Sequence, residues 1–248
     1  EVLERAGVNI TFSRSNTARD YSFQIEGGRG YDLRSFTVPG DFSSVSYLLA
    51  AAALTDSKVK VRNLFSSAQG DAQIVDLLRE MGAEISWNKE EGVVEVKGAR
   101  DAHLKGITVD MRENPDLVPT IAVLATVADG TTEITGAAHL RYKETDRLRL
   151  LTEELTKMGA RIEEREDGLR IKGMKKKELK AATVHSHEDH RLAMALSVAA
   201  LAAAGETVIE GADCVKISYP SFFEDMFDLG ADIDIETNTR HSGRGKEG

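Results

Sequence analysis

The stretch EDHRLAMALSVAALAAAG, residues 188–205, opens on a carboxylate and then runs almost wholly apolar to a glycine. Aspartate is a favoured helix N-cap, and glycine just past a helix end supplies the left-handed cap. The spacing therefore predicts a helix between Asp189 and Gly205, and its lack of a polar face predicts that it is buried. The same pattern occurs twice more, as GDFSSVSYLLAAAAL at 40–54 and NPDLVPTIAVLATVADG at 114–130. Its aspartates, Asp41, Asp116 and Asp189, are spaced by 75 and 73 residues.

A second set of markers keeps the same beat. Gly7, Gly82, Gly159 and Gly230, at intervals of 75, 77 and 71, each follow an amphipathic pattern and lead into a short apolar strand (GVNI, GAEI, GARI, GADI). Each buried helix is followed by a strand: KVKVRNL at 58–64, TTEITGA at 131–137, ETVIEGA at 206–212. In ARIEEREDGLRIKG, 160–173, alternation broken at Asp167-Gly168 predicts a hairpin. One unit thus reads βαβαββ, and the fold class is α/β (α+β): repeated βαβαββ units packed around buried helices. About three copies fit, with residues 1–28 as the tail of a further one. In DRLRLLTEELTKMG, 146–159, Leu148, Leu151, Leu155 and Met158 form one stripe and are assigned to the core. The segment RNLFSSAQGD, 62–71, is the expected link between two globules, giving domains at 1–64 and 65–236. The last residues, TRHSGRGKEG, lack apolar side chains, and 237–248 is expected to be a disordered tail.

Composition narrows the function. The chain has 248 residues, 41% hydrophobic and 29% charged, with a net charge of −9. That balance argues against nucleic acid or an anionic membrane as partner, since both need a basic face. A single cysteine, Cys214, fits a reducing cytoplasm, and the apolar run Leu192–Ala204 is too short to span a bilayer. The chain opens inside an apparent helix, EVLERAGVNI, and is expected to be a fragment of a longer protein.

Two readings compete at HSHEDHRLAM, 185–194. The spacing of His185, His187, Asp189 and His190 suits a metal site. Alternatively Asp189 opens a helix whose first turn carries His190 and Arg191. Arg147 stands likewise at the start of 146–159, with Lys143 and Glu144 just before it. A cation at a helix N-terminus opposes the helix dipole, costing on the order of 0.3–1 kcal/mol, and a bound anion reverses that sign. Two such arginines favour an anion site. Glu144 and Asp116 are candidate acid and base, and Ser43, Ser44 and Tyr47 open another buried helix in a way that suits a phosphate; the bland alternatives are a surface ion pair and ordinary caps.

Taken in order, GDFSSVSYLLAAAAL, NPDLVPTIAVLA, HLRYKETDRL, EDHRLAMALSVAAL and SYPSFFEDM resemble the 3-phosphoshikimate 1-carboxyvinyltransferase (EPSP synthase) family over about residues 1–236, as its C-terminal three-fifths. The resemblance implies an enolpyruvyl transferase-like inverted α/β barrel. It also implies transfer of the enolpyruvyl group of phosphoenolpyruvate to the 5-hydroxyl of shikimate 3-phosphate, with no cofactor and no metal. It further implies a cytoplasmic monomer whose partners are these two small anions. Carried over by position, Ser44 binds the shikimate phosphate, Tyr47 lies near the ring, and Asp116 holds the ring hydroxyls and acts as base. Lys143 and His139 contact shikimate 3-phosphate, and Glu144 protonates the methylene carbon. Arg147 and Arg191, with His190 beside them, clamp phosphoenolpyruvate. His139 departs from the family's asparagine; Ile217 stands where many members have a lysine, with Lys216 one residue earlier. Further substrate contacts of the family lie upstream of residue 1. The competing readings are UDP-N-acetylglucosamine 1-carboxyvinyltransferase, a metal-dependent hydrolase using HSHEDH, and a non-catalytic binding repeat.

Overall fold

The computed structural model describes residues 1–14, 21–28, 30–98, 104–175 and 178–236, so the expected tail at 237–248 lies outside the described residues. The chain begins with α1 (Val2–Arg5), whose exit passes through Gly7 at φ 81°, and continues into β1 (Ile10–Arg14) and β2 (Tyr21–Ile25). These two strands pair antiparallel, Ile10 opposite Ile25, as a sheet of their own. Phe12 stacks on Tyr21 at 5.6 Å and lies tilted against Phe23 at 5.3 Å, yet all three rings are exposed.

Three units follow on the predicted beat. The first contains α2 (Phe42–Leu54), β3 (Lys58–Val61), α3 (Ile74–Glu80), β4 (Glu84–Asn88) and β5 (Val93–Lys97), with sheet order β3-β5-β4. The second is complete: β6 (Thr108–Asp110), α4 (Val118–Thr126), β7 (Thr131–Thr135), α5 (Arg147–Lys157), β8 (Arg161–Arg165) and β9 (Gly168–Lys172). Its sheet order is β6-β7-β9-β8, with β6 and β7 parallel and the other pairs antiparallel. The third has β10 (Thr183–His185), α6 (His190–Ala202), β11 (Val208–Glu210) and α7 (Phe222–Asp228), with β10 parallel to β11. The βαβαββ expectation is met in full by the second unit; among the described residues the first lacks its leading strand and the third its closing hairpin.

The repeat is physical as well as textual. Leu104 and Leu179, 75 residues apart, accept from the amides of Asp129 and Ala204; Met81 and Met158 accept from those of Lys105 and Lys180. Gly98 and Gly173 lie where each hairpin crosses the C-terminal end of its buried helix. A Cβ on Gly98 would overlap the carbonyls of Ala52 and Thr55, and one on Gly173 the carbonyl of Ala128. No other residue fits there without moving backbone.

The core forms between α2, α4 and α6, which pack on one another as their all-round apolar sequences require. Alanines at 50–53 and at 193, 195 and 199 allow close approach, and the one polar contact at the α2–α4 crossing is Ser46 Oγ to Thr120 Oγ1 at 2.8 Å. The α5 stripe behaves as predicted: Leu148, Leu151, Leu155 and Met158 are fully buried, each contributing about 1.5–3 kcal/mol. The packing is continuous across residue 64, where a domain boundary was expected. β3 pairs with β5, Val59 opposite Val96, and α2 joins α4 and α6, so a cut there would divide one core. The motif that suggested a link carries turn residues because it passes from β3 to α3.

The hairpin at the start is the outlier. Among the described residues before Gly40, Ala6 alone is buried. Few buried contacts imply a low opening free energy. Limited trypsin digestion is expected to cut between residues 29 and 36 first, leaving a resistant core from about residue 40. Trp87, packed edge-on to Phe42 at 5.2 Å, should keep its emission after that cut. Loss of the Trp87 signal in step with the first cleavage would show that the hairpin is integral to the core.

Candidate anion site

Two aspartates act as the helix caps that the sequence suggests. Asp41 accepts from the amides of Ser43 and Ser44 at 3.2 and 3.0 Å, and Asp189 from those of Arg191 and Leu192 at 2.9 and 3.4 Å. Asp116 does not. Pro115 and Pro119 set up a 3-10 turn, Pro115–Leu117, ahead of α4, and no side chain caps that helix. The Asp116 carboxylate is thereby free to turn inward, where it meets both arginines.

Arg147 leaves the first turn of α5 for the interior and is 1% exposed. Its Nε donates to Asp189 Oδ2 at 2.7 Å and one terminal nitrogen to Asp116 Oδ1 at 3.2 Å. The other reaches Glu144 Oε2 at 2.6 Å and Asp189 Oδ1 at 3.3 Å. Arg191 donates to the second oxygen of Asp116 at 3.0 Å, so Asp116 bridges two guanidinium groups from different helices. Thr145 Oγ1 adds a bond to Asp189 at 3.0 Å. Asp189 has no exposure at all, whereas Asp116 and Glu144 are 28% and 49% exposed. The protein's own carboxylates thus occupy the cations that the sequence leaves looking for an anion. The two exposed ones can be displaced by a ligand; the buried one cannot.

Burial acts to raise the Asp189 pKa, but the Arg147 hydrogen bond and charge, with the Arg191 amide and Thr145, outweigh it and hold the group below the usual carboxylate value. His190 is shifted the other way from a cation's needs: burial first, then the Arg191 charge, push its pKa down, so the ring is neutral at pH 7. Its Nδ1 is buried without a hydrogen-bond partner. Tyr47 is fully buried at the back of the site, and burial lifts its pKa to about 12 against the pull of Arg191.

The structure therefore brings together Asp116, Glu144, Arg147, His190 and Arg191. It separates others from the cluster. Tyr47 is fully buried, and its hydroxyl has no hydrogen-bond partner. Ser44 directs its hydroxyl to Asp41 at 2.5 Å, the bland capping alternative, while Ser43 donates to Asp71. His139 and Lys143 stand exposed on and just after the turn Ala138–Tyr142. Lys216 is exposed and pairs with Asp213 at 2.9 Å, away from the arginines. His185 and His187 are drawn off to Glu154: His187 Nε2 meets Glu154 Oε1 at 2.7 Å, and His185 Nδ1 accepts from the His187 amide at 2.7 Å. The residue that sequence reasoning undervalued is Asp189, which is arginine ligand and cap at once; a capping aspartate with an arginine fixed on a second helix was the available signal.

Residues 1–226 match the family described as EPSP synthase (3-phosphoshikimate 1-carboxyvinyltransferase). The 3-phosphoshikimate 1-carboxyvinyltransferase of Methanococcoides burtonii is 53% identical over 233 residues, 94% of this chain and 52% of that protein. The enzyme of the same name from Methanocella arvoryzae is 52% identical over 235 residues, 95% of this chain and 53% of its own. Among solved structures, EPSP synthase from Acinetobacter baumannii superposes with a TM-score of 0.83 at 28% identity, covering 95% of this chain and 55% of the other. The chain spans about half the length of the curated relatives it matches.

Breaking one side of a buried ion pair costs about 3–5 kcal/mol. Asp189→Asn is expected to lower Tm by roughly 6–20 °C. Because the folded pKa of Asp189 is depressed, its contribution is present above the unfolded value near 4 and lost as pH falls through the folded one. Acid melts of Asp189→Asn should therefore decline less steeply below about pH 4 than wild type. For His190 a depressed folded pKa means stability complete above about 6.5 and falling below it. An NMR titration of its ring midpoint at or above 6.5 would contradict the burial seen here.

Proposed function

Because the chain belongs to the EPSP synthase family, we propose that it supplies the anion-clamping half of an enzyme that moves the 1-carboxyvinyl group of phosphoenolpyruvate onto shikimate 3-phosphate. The supporting observation is the convergence of Arg147 and Arg191, from two helix starts, on the single carboxylate Asp116. In this reading the phosphate and carboxylate of phosphoenolpyruvate replace Asp116 and Glu144 as partners of the guanidinium groups. Arg191, 14% exposed, makes the first contact; Arg147, held by Asp189, is the fixed wall behind it.

Once released, the two carboxylates are placed for proton transfer. Asp116 takes the proton of the acceptor's 5-hydroxyl as its oxygen bonds to the central carbon of phosphoenolpyruvate, and Glu144 gives a proton to the methylene carbon. The bond from the central carbon to the phosphate oxygen then breaks, the leaving phosphate takes up the proton held by Asp116, the methyl carbon returns its proton to Glu144, and the vinyl double bond re-forms. Atoms and charges balance without an oxidant or a metal. Neutral His190, buried beside Arg191, is a hydrogen-bonding group there and adds no competing charge. Lys143 and His139, being exposed, are free to meet the phosphate of shikimate 3-phosphate, and Ser44 can do so by giving up its bond to Asp41. Lys216 would have to leave Asp213 to take part. The curated relatives' names favour this acceptor over a UDP-sugar, and their family does not favour the hydrolase reading.

The same reading makes the protein a cytoplasmic monomer that acts without a cofactor; among the described residues no helix is long and apolar enough to cross a membrane. The chain covers 52% of the Methanococcoides burtonii enzyme, and in this reading the remaining substrate contacts come from the other part.

The test is turnover by the complete protein with phosphoenolpyruvate and shikimate 3-phosphate. Arg191→Ala is expected to lower kcat/KM by about 10²–10³, the usual loss of one preorganised charge-stabilising donor. The 248-residue chain alone is expected to form little or no product. A complete protein that binds both anions yet makes no phosphate would overturn the assignment.

A further inference from the structure

Glu154 lies on α5, the helix that begins with Arg147, and its side chain is 1% exposed. Its carboxylate accepts from the His185 amide at 3.0 Å and meets His187 Nε2 at 2.7 Å, while Lys157 caps it from the solvent side at 2.7 Å. The His187 amide closes the ring on His185 Nδ1. Below it, Ser186 donates to the Gly211 carbonyl at 2.7 Å and accepts from the Glu188 amide at 3.2 Å. The short loop between β10 and α6 is thus tied to α5 through Glu154 and to the residue after β11 through Ser186, with the His187 and Glu188 amides bonded inside the loop itself.

That loop needs tying. His187 and Glu188 stand at φ 52° and 60°, in the left-handed region that side chains with a Cβ rarely adopt. Such a pair persists only where the surroundings over-determine it. The next residues are Asp189, His190 and Arg191. None of the groups around Glu154 touches the arginine cluster, and neither the capping of α6 nor the proposed proton transfers use them.

We propose that Glu154 and His187 are positioning residues, a clamp that fixes the loop carrying Asp189 and Arg191 to the helix carrying Arg147 and so sets the separation of the two guanidinium groups. Relaxation of the left-handed pair would swing Asp189 away from Arg147 and Arg191 away from Asp116. Burial alone would raise the Glu154 pKa, but Lys157, His187 and the His185 amide outweigh it, so the clamp stays ionised at neutral pH.

The kinetic test rests on the carboxyvinyl-transfer reading and uses the complete protein. His187→Gly keeps the left-handed backbone without strain while removing the imidazole. It is expected to raise KM for phosphoenolpyruvate on the order of tenfold with kcat within about twofold, the mark of lost ground-state anion binding. Tm should move by less than about 3 °C. Glu154→Gln, whose amide can still accept from His185 and donate to His187, is expected to keep the wild-type KM. In an Arg191→Ala background, His187→Gly should add little further loss. An unchanged KM in His187→Gly, or an equal loss in both backgrounds, overturns the clamp. Calorimetric titration of inorganic phosphate separates the two ideas. Phosphate binding without product overturns the transfer reading, while the ratio of phosphate Kd between His187→Gly and wild type still decides the clamp, an unchanged Kd refuting it. Absence of phosphate binding in wild type overturns both.

Discussion

The Asp189 carboxylate is the point on which the site depends. It closes the amino end of α6 through the amides of Arg191 and Leu192, and it takes two guanidinium bonds from Arg147 on α5. One fully buried group therefore fixes where two helices start relative to each other. A buried ion pair contributes little net stability over an apolar pair of the same shape, but it specifies geometry that apolar contacts would leave free. Here the geometry specified is the placement of two arginines, and everything that faces solvent at this spot is arranged around them.

Much of the fold could be read from the residues because each signal reports a local constraint. The buried helices announce themselves by the absence of a polar face, their starts by Asp41 and Asp189, and the α5 core stripe by its helical period. The hairpin was placed within one residue: the turn falls on Glu166–Asp167, with Gly168 as the first residue of β9. The site was legible at Arg147 and Arg191 for an electrostatic reason, since a cation at a helix start is out of place unless a carboxylate or a ligand compensates it. Which carboxylates meet these arginines could not be read from the spacing, and the structure shows Asp116, Glu144 and Asp189.

What remained hidden depends on contacts far apart in sequence. Asp116 shares the beat of the two capping aspartates, yet the flanking prolines turn the chain into a 3-10 entry and release its side chain. Ser44 and Tyr47 stand beside each other on the same helix turn, but one faces Asp41 and the other the core, a distinction that a helix apolar on all sides does not encode. The pairing across residue 64 was hidden for a related reason: nothing in KVKVRNL announces that its partner strand is Val93–Lys97. The metal-like spacing of HSHEDH dissolves once Glu154, more than thirty residues earlier in the chain, takes up His187.

Each unit of the repeat has a free end and a fixed end. At the starts of the buried helices the aspartates do different work: Asp41 caps, Asp116 bridges two arginines, and Asp189 caps while holding Arg147. At the opposite ends, Gly98 and Gly173 have no such latitude, because a carbonyl of the adjacent helix occupies the space of any side chain. Copies of one module can therefore diverge in chemistry along one rim of the molecule while steric exclusion holds them alike along the other. The periodicity that reveals the architecture is written at the rim that cannot change, and the chemical individuality of the chain at the rim that can.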